Sequence, residues 1–151
     1  KSGSVFNNMN TLINPHFLSD PEGGGEEAEE LKFGLERDMQ TALRRNIDQM
    51  ERGLKVIDGG SERTVEAGRI DITAEDRSGN VVVIELKAGT AAQDSVTQTL
   101  AYMASLRAEE QRPVRGILVA ADFHRKVLLA AQAVPNLQLK GYSYSFSFSE
   151  R

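Results

Sequence analysis

Two carboxylates and an amine, Asp71, Glu85 and Lys87, stand at spacings that bring them together if the chain between them folds back on itself. They lie in two β-branched runs, Gly68 to Glu75 and Val81 to Lys87, joined by the turn-forming Asp76-Arg77-Ser78-Gly79-Asn80, which is the pattern of a β-hairpin. Folding about Ser78 puts Asp71 across from Glu85, and facing residues on paired strands have Cβ atoms about 4.5–5.5 Å apart. That separation suits two carboxylates sharing one cation.

Strand alternation adds Thr73, Val81, Val83 and Lys87 to the face of Asp71 and Glu85, and sends Ile70, Ile72, Val82, Ile84 and Leu86 to the other. Carboxylates on a partly apolar face need a counter-charge. Mg²⁺, with Mn²⁺ as substitute, is the expected cofactor, because it takes hard oxygen ligands from one or two carboxylates and leaves other positions to water and phosphate. The backbone carbonyl of Leu86 is a candidate third donor. Lys87 would then orient or help deprotonate a water for in-line attack on phosphorus. Taken alone, an E-x-K on a strand is more often a solvated face, so the reading depends on the surrounding elements.

Those elements form one α/β unit. Leu35, Met39, Leu43, Ile47 and Met50 recur every three or four residues, which predicts a helix from about Leu31 or Leu35 to Glu51, led by Glu26, Glu27, Glu29 and Glu30 and stopped by Gly53. Glu36 flanks its apolar stripe. Leu54 to Ile57 is a short strand, Asp58-Gly59-Gly60 a turn, and Glu62 to Glu66 a solvated loop. After the hairpin, Thr90-Ala-Ala-Gln93 fits a capping box for a helix to about Ala108, with Val96, Leu100, Met103 and Leu106 as its stripe and Asp94, Gln98 and Tyr102 on another line.

Val114 to Ala121 reads as a strand covered on both faces. Asp122 is the expected cap of a helix from Phe123 to Val134, whose first turn carries Arg125 and Lys126 against the helix dipole, as if answering an outside negative charge. Arg69, Arg125 and Lys126 are the candidate phosphate contacts. The chain closes on Leu137 and Leu139, a bulge at Gly141, and an aromatic strand through Tyr142, Tyr144, Phe146 and Phe148.

Asp71, then Glu85-Leu86-Lys87, resembles the PD-(D/E)XK nuclease superfamily, with Ile70 in place of the Pro that names the motif. Gln98-Thr-Leu-Ala-Tyr102 is similar to the Q-x-x-x-Y element of its RecB-like members, and the run of motifs from about Leu35 to Leu139 looks most like the catalytic domain of NucS/EndoMS-type endonucleases. The resemblance implies a restriction-endonuclease-like αβββαβ core, a mixed central sheet flanked by helices, and metal-dependent cleavage of branched, single-stranded or mismatched DNA. It implies Glu36 approaching the metal from the helix side, and Gln98 and Tyr102 beside the site.

Composition narrows the alternatives. The 151 residues, 40% of them hydrophobic, suffice for one domain. The absence of Cys excludes a thiolate metal site, and the two histidines, His16 and His124, far apart and without a metal spacing, argue against zinc and a His-centred nuclease. No membrane segment or signal peptide is visible, so a soluble cytoplasmic protein is expected. The net charge of -4 does not advertise nucleic-acid binding, which leaves a noncatalytic binding module on the same fold as the alternative function. Residues 1–25, rich in Asn, Ser, Pro and Gly, are expected to be a flexible arm or linker, and 26–151 the nuclease-like domain. Beginning at Lys1, the chain is expected to be a fragment or processed form, working as a homodimer or with a missing upstream DNA-binding domain.

Overall fold

A computed structural model of the chain describes residues 26–143 and 145–151, so the arm expected at 1–25 and Tyr144 lie outside the described residues. Helix α1 (Glu26–Arg45) carries acids in its first turn and Arg44 and Arg45 in its last, both favourable to the helix dipole. Leu35, Met39 and Leu43, four residues apart, are each at most 1% exposed. The helix ends six residues before the expected Glu51. A 3-10 turn, Ile47–Gln49, continues it and keeps Ile47 and Met50 in the core.

The sheet runs in the order β1 (Lys55–Val56), β4 (Ile72–Glu75), β5 (Val81–Leu86), β7 (Val114–Ala120), β9 (Leu137–Gly141). β4 is antiparallel to β1 and β5, whereas β7 is parallel to β5 and β9, so the sheet is mixed, as expected. β5 is central and all six of its residues are buried. α1 covers one face, over Ile72, Val82, Ile84, Leu86 and Ile117. Helices α2 (Gln93–Glu110) and α3 (Arg125–Gln132) cover the other, over Ile70, Val81, Val83, Leu118 and Leu137.

Several expectations are corrected. The run Gly68 to Glu75 is two strands, β3 (Gly68–Ile70) and β4, separated by a bend at Asp71. β3 pairs not with the sheet but with β2 (Arg63–Val65), in the stretch read as a loop. Ile70 consequently packs with the α2 side instead of sharing the face of Ile72. Thr90 forms no capping box, because Thr90–Ala91 is β6, paired with β8 (Asp122–Phe123), and α2 starts after Ala92 without a side-chain cap. The same pairing moves the start of α3 to Arg125 and takes Asp122 away from its cap. The aromatic strand does not form among the described residues: Tyr142 turns into the core, while Phe146 and Phe148 are exposed.

Because Leu43 sits at the contact of α1 with the sheet and has no exposure, Leu43→Ala is expected to cost about 2–5 kcal/mol. Urea denaturation with an unchanged slope checks this.

Candidate active site

Ile72 pairs with Ile84, so one step earlier Asp71 stands across from Glu85, as the hairpin reading expects. The two carboxylates clasp each other's strands. The Asp71 N–H, released from the ladder by the bend, donates to Glu85 Oε1 at 3.1 Å. The Leu86 N–H donates to Asp71 Oδ2 at 2.9 Å. Each acid thus spends one oxygen on backbone and keeps the other for a further partner.

The next three amides of the chain are also held. Lys87 N–H donates to the Val119 carbonyl at 2.8 Å, Ala88 N–H to Glu36 Oε2 at 2.9 Å, and Gly89 N–H to the Tyr142 hydroxyl at 3.0 Å. Glu36 therefore reaches from α1 to the backbone just past the end of β5. Half-buried Lys87 lies close enough for its charge to favour the ionised forms of Glu36, Asp71 and Glu85. From the other face, Gln98 Nε2 donates to the Tyr102 hydroxyl at 2.9 Å. Burial, then the charge of Glu85, raises the Tyr102 phenol, which places that hydroxyl within the field of the site. Gly68, at φ +139°, makes room for it: a Cβ there would lie 3.1 Å from the Tyr102 hydroxyl.

The candidate basic residues are placed differently. Arg69 has a side chain 72% exposed, with Nε 3.8 Å from Glu62. Arg125 and Lys126 are exposed at the start of α3, just past the C-terminal end of β7. The register Leu86 to Val119 makes this the same end of the sheet as Glu85 and Lys87. Among the described residues no ion pair joins these cations to the carboxylates.

Three residues were missed by the sequence reading. Arg44 forks onto Asp58, and Nη2 also donates to the Asp71 carbonyl at 2.8 Å. Glu62, taken as solvated, accepts from Gln40 at 2.9 Å, and its charge raises Asp71. Asp58-Gly-Gly signalled only a turn. Burial pushes Asp58 up, but the Arg44 guanidinium and the Thr73 and Gly60 N–H groups outweigh it and hold the carboxyl below its ordinary range.

Burial and neighbouring negative charge make both members of the pair costly to ionise. Burial pushes Asp71 up to about 6, the Leu86 N–H opposing and the charges of Glu62 and Glu36 adding. Burial and the charge of Asp71 push Glu85 up to about 8. Thr73 Oγ1, on the face of Val83 and Glu85, is buried without a hydrogen-bond partner. Among the described residues no three His, Asp or Glu side chains form a cage by themselves. Two carboxylates with free oxygens nonetheless fit a hard cation that keeps several waters.

Residues 35–140 match the family described as the endonuclease NucS C-terminal domain. The chain belongs to this family. It is 38% identical over 96 residues to endonuclease NucS of Pyrococcus furiosus, covering 63% of this chain and 35% of that protein. The crystal structure of a repair endonuclease from Pyrococcus abyssi superposes with a TM-score of 0.58 at 31% identity, over 78% of this chain and 47% of that one. A structure of an EndoMS complex with double-stranded DNA does so at 0.61 and 30%, over 75% and 46%. The chain therefore spans only 35% of the length of such a curated relative, and the likeness concerns the C-terminal part.

A carboxyl whose pKa is raised by folding keeps its proton where the unfolded chain has lost it, so stability falls as pH rises between the two values. For Asp71 that window runs from 3.8 to about 6, and for Glu85 from 4.5 to about 8. Asp76, held at about 2, acts in the opposite sense and only at lower pH. The chelator-treated NucS-family chain is expected to lose thermal stability steadily from about pH 5 to about pH 8. Glu85→Gln should flatten that decline in thermal unfolding curves.

Proposed function

We propose that this chain is the catalytic part of a Mg²⁺-dependent endonuclease, of the PD-(D/E)XK kind with its restriction-endonuclease-like core, that hydrolyses phosphodiester bonds in branched, single-stranded or mismatched DNA. The observation that carries the reading is the clasp of Asp71 and Glu85 across a broken hairpin, with Lys87 two residues beyond Glu85. Membership of the NucS C-terminal domain family and the likeness to an EndoMS protein with DNA support it.

Asp71, Glu85 and the backbone carbonyl of Leu86 would hold Mg²⁺, or Mn²⁺ in its place. When bound, the ion supplies charge for the phosphoryl oxygens and acidifies a water. Lys87 orients the attacking water and handles its proton at Nζ. Glu36 fixes Lys87 through the Ala88 amide. Gln98 and Tyr102 form a polar wall from α2 that keeps the Glu85 side of the site in register. Arg69, Arg125 and Lys126 contact DNA phosphates. A net charge of -4 opposes the phosphate backbone of a duplex, so a second copy or a separate DNA-binding domain supplies the rest of the grip.

The test is cleavage of labelled single-stranded, flapped and mismatched DNAs with Mg²⁺, against a chelator control. Lys87→Ala should slow the single-turnover step about 100-fold or more while leaving Mn²⁺ affinity unchanged. Asp71→Asn should abolish calorimetric Mn²⁺ binding. Metal-independent nicking, or a Lys87→Ala variant as fast as wild type, would remove the assignment. Changing Arg125 and Lys126 together to Ala should weaken DNA binding alike across sequences and lower the salt slope by about two.

A further inference from the structure

The bend at Asp71 raises a question of backbone accounting. β3 pairs with β2, whereas β4 pairs with β1 and β5, so Asp71 lies between two ladders and belongs to neither. Its carbonyl must still find a donor. Arg44 Nη2 supplies it, at 2.8 Å, from the last turn of α1. Two residues on, just past the end of β1, the Thr73 carbonyl still accepts from the Ile57 N–H at 2.9 Å, while the Thr73 N–H finds Asp58 Oδ2 at 3.0 Å in place of a backbone carbonyl. The same guanidinium and carboxylate are forked together at 2.5 and 2.8 Å. Their side chains are 13% and 0% exposed.

A buried ion pair is a poor source of stability compared with apolar packing. What this one provides is direction: both its members aim a further bond at the backbone flanking Asp71, one before and one after Ile72. Gln40 completes the frame by accepting from Arg44 Nε at 3.3 Å and donating to Glu62.

We propose that Arg44 and Asp58 are positioning residues for the Asp71 ligand, a buried pair that locks the bend at residues 71–73 and so sets the affinity of the site for its divalent cation. This rests on the reading of Asp71 and Glu85 as cation ligands. Arg44 bonds the Asp71 carbonyl and the Asp58 carboxylate, not the Asp71 carboxylate. It acts through the Asp71 carbonyl. Lysine keeps the charge opposite Asp58, but one ammonium cannot reproduce the planar fork on both Asp58 oxygens together with the bond to Asp71. Loss of such an outer partner typically lowers metal affinity about 10–100-fold.

The experiment is Mn²⁺ calorimetry on the full chain, paired with amide hydrogen exchange in chelator. Arg44→Lys is expected to weaken Mn²⁺ binding about 10-fold or more and to speed exchange at the Asp71 and Leu86 amides, leaving Ile84 and Leu118 unchanged. Arg45→Lys, an exposed neighbour, should change neither reading. Removing one partner alone strands a buried charge and endangers the fold. If Arg44→Lys loosens Ile84 as well, the joint change Arg44→Met with Asp58→Asn decides, since it removes both charges together and keeps an acceptor for Thr73. A folded variant of either kind that binds Mn²⁺ like wild type overturns the proposal, with the cation site itself left standing if Asp71→Asn abolishes binding. Undiminished Mn²⁺ affinity in Asp71→Asn places the ion elsewhere and overturns both.

Discussion

A carboxylate in the middle of a sheet is the constraint on which this structure turns. Glu85 is 3% exposed in a central strand whose other five residues are apolar, and ionising it there is costly unless something answers its charge. The nearest answer is the Asp71 N–H, which is available because the chain breaks at Asp71 and withdraws that amide from the ladder. The break in turn exposes a carbonyl that Arg44 must satisfy. Acid, bend and guanidinium thus follow from one another, and none of them would be stable in this form alone.

The two faces of the sheet divide the work. α1 packs Leu35, Met39 and Leu43 against β4 and β5, and the same helix sends Glu36 to the Ala88 amide and Arg44 to the bend. Packing fixes the helix axis, and the axis fixes where these polar side chains arrive. α2 does likewise from the opposite side, with Val96, Met103 and Leu106 in the core and the Gln98–Tyr102 hydrogen bond at its edge. The close approach of the Tyr102 ring to Gly68 shows how little room is left. Side chains positioned this way are held by the core beneath them.

Much of this was legible in the sequence. Hydrophobic period gave the helices, the β-branched runs and turn residues gave the hairpin, and its register brought Asp71 opposite Glu85 because two-residue alternation leaves no other pairing about Ser78. Likewise, four-residue spacing on one helix was enough to join Gln98 to Tyr102. Such relations are local, and local geometry is what spacing encodes. The tertiary structure decided the rest. That the strand breaks at Asp71, that β2 pairs with β3, and that Thr90–Ala91 pairs with Asp122–Phe123 instead of capping a helix all depend on partners distant in the chain. Arg44 falls inside the helix that the periodicity predicts, off its apolar stripe, and Asp58 reads as a turn residue, so neither carries a signal of its own in the sequence. Only the approach of α1 to the sheet brings them together across fourteen positions, buries them, and turns them onto the backbone beside Asp71.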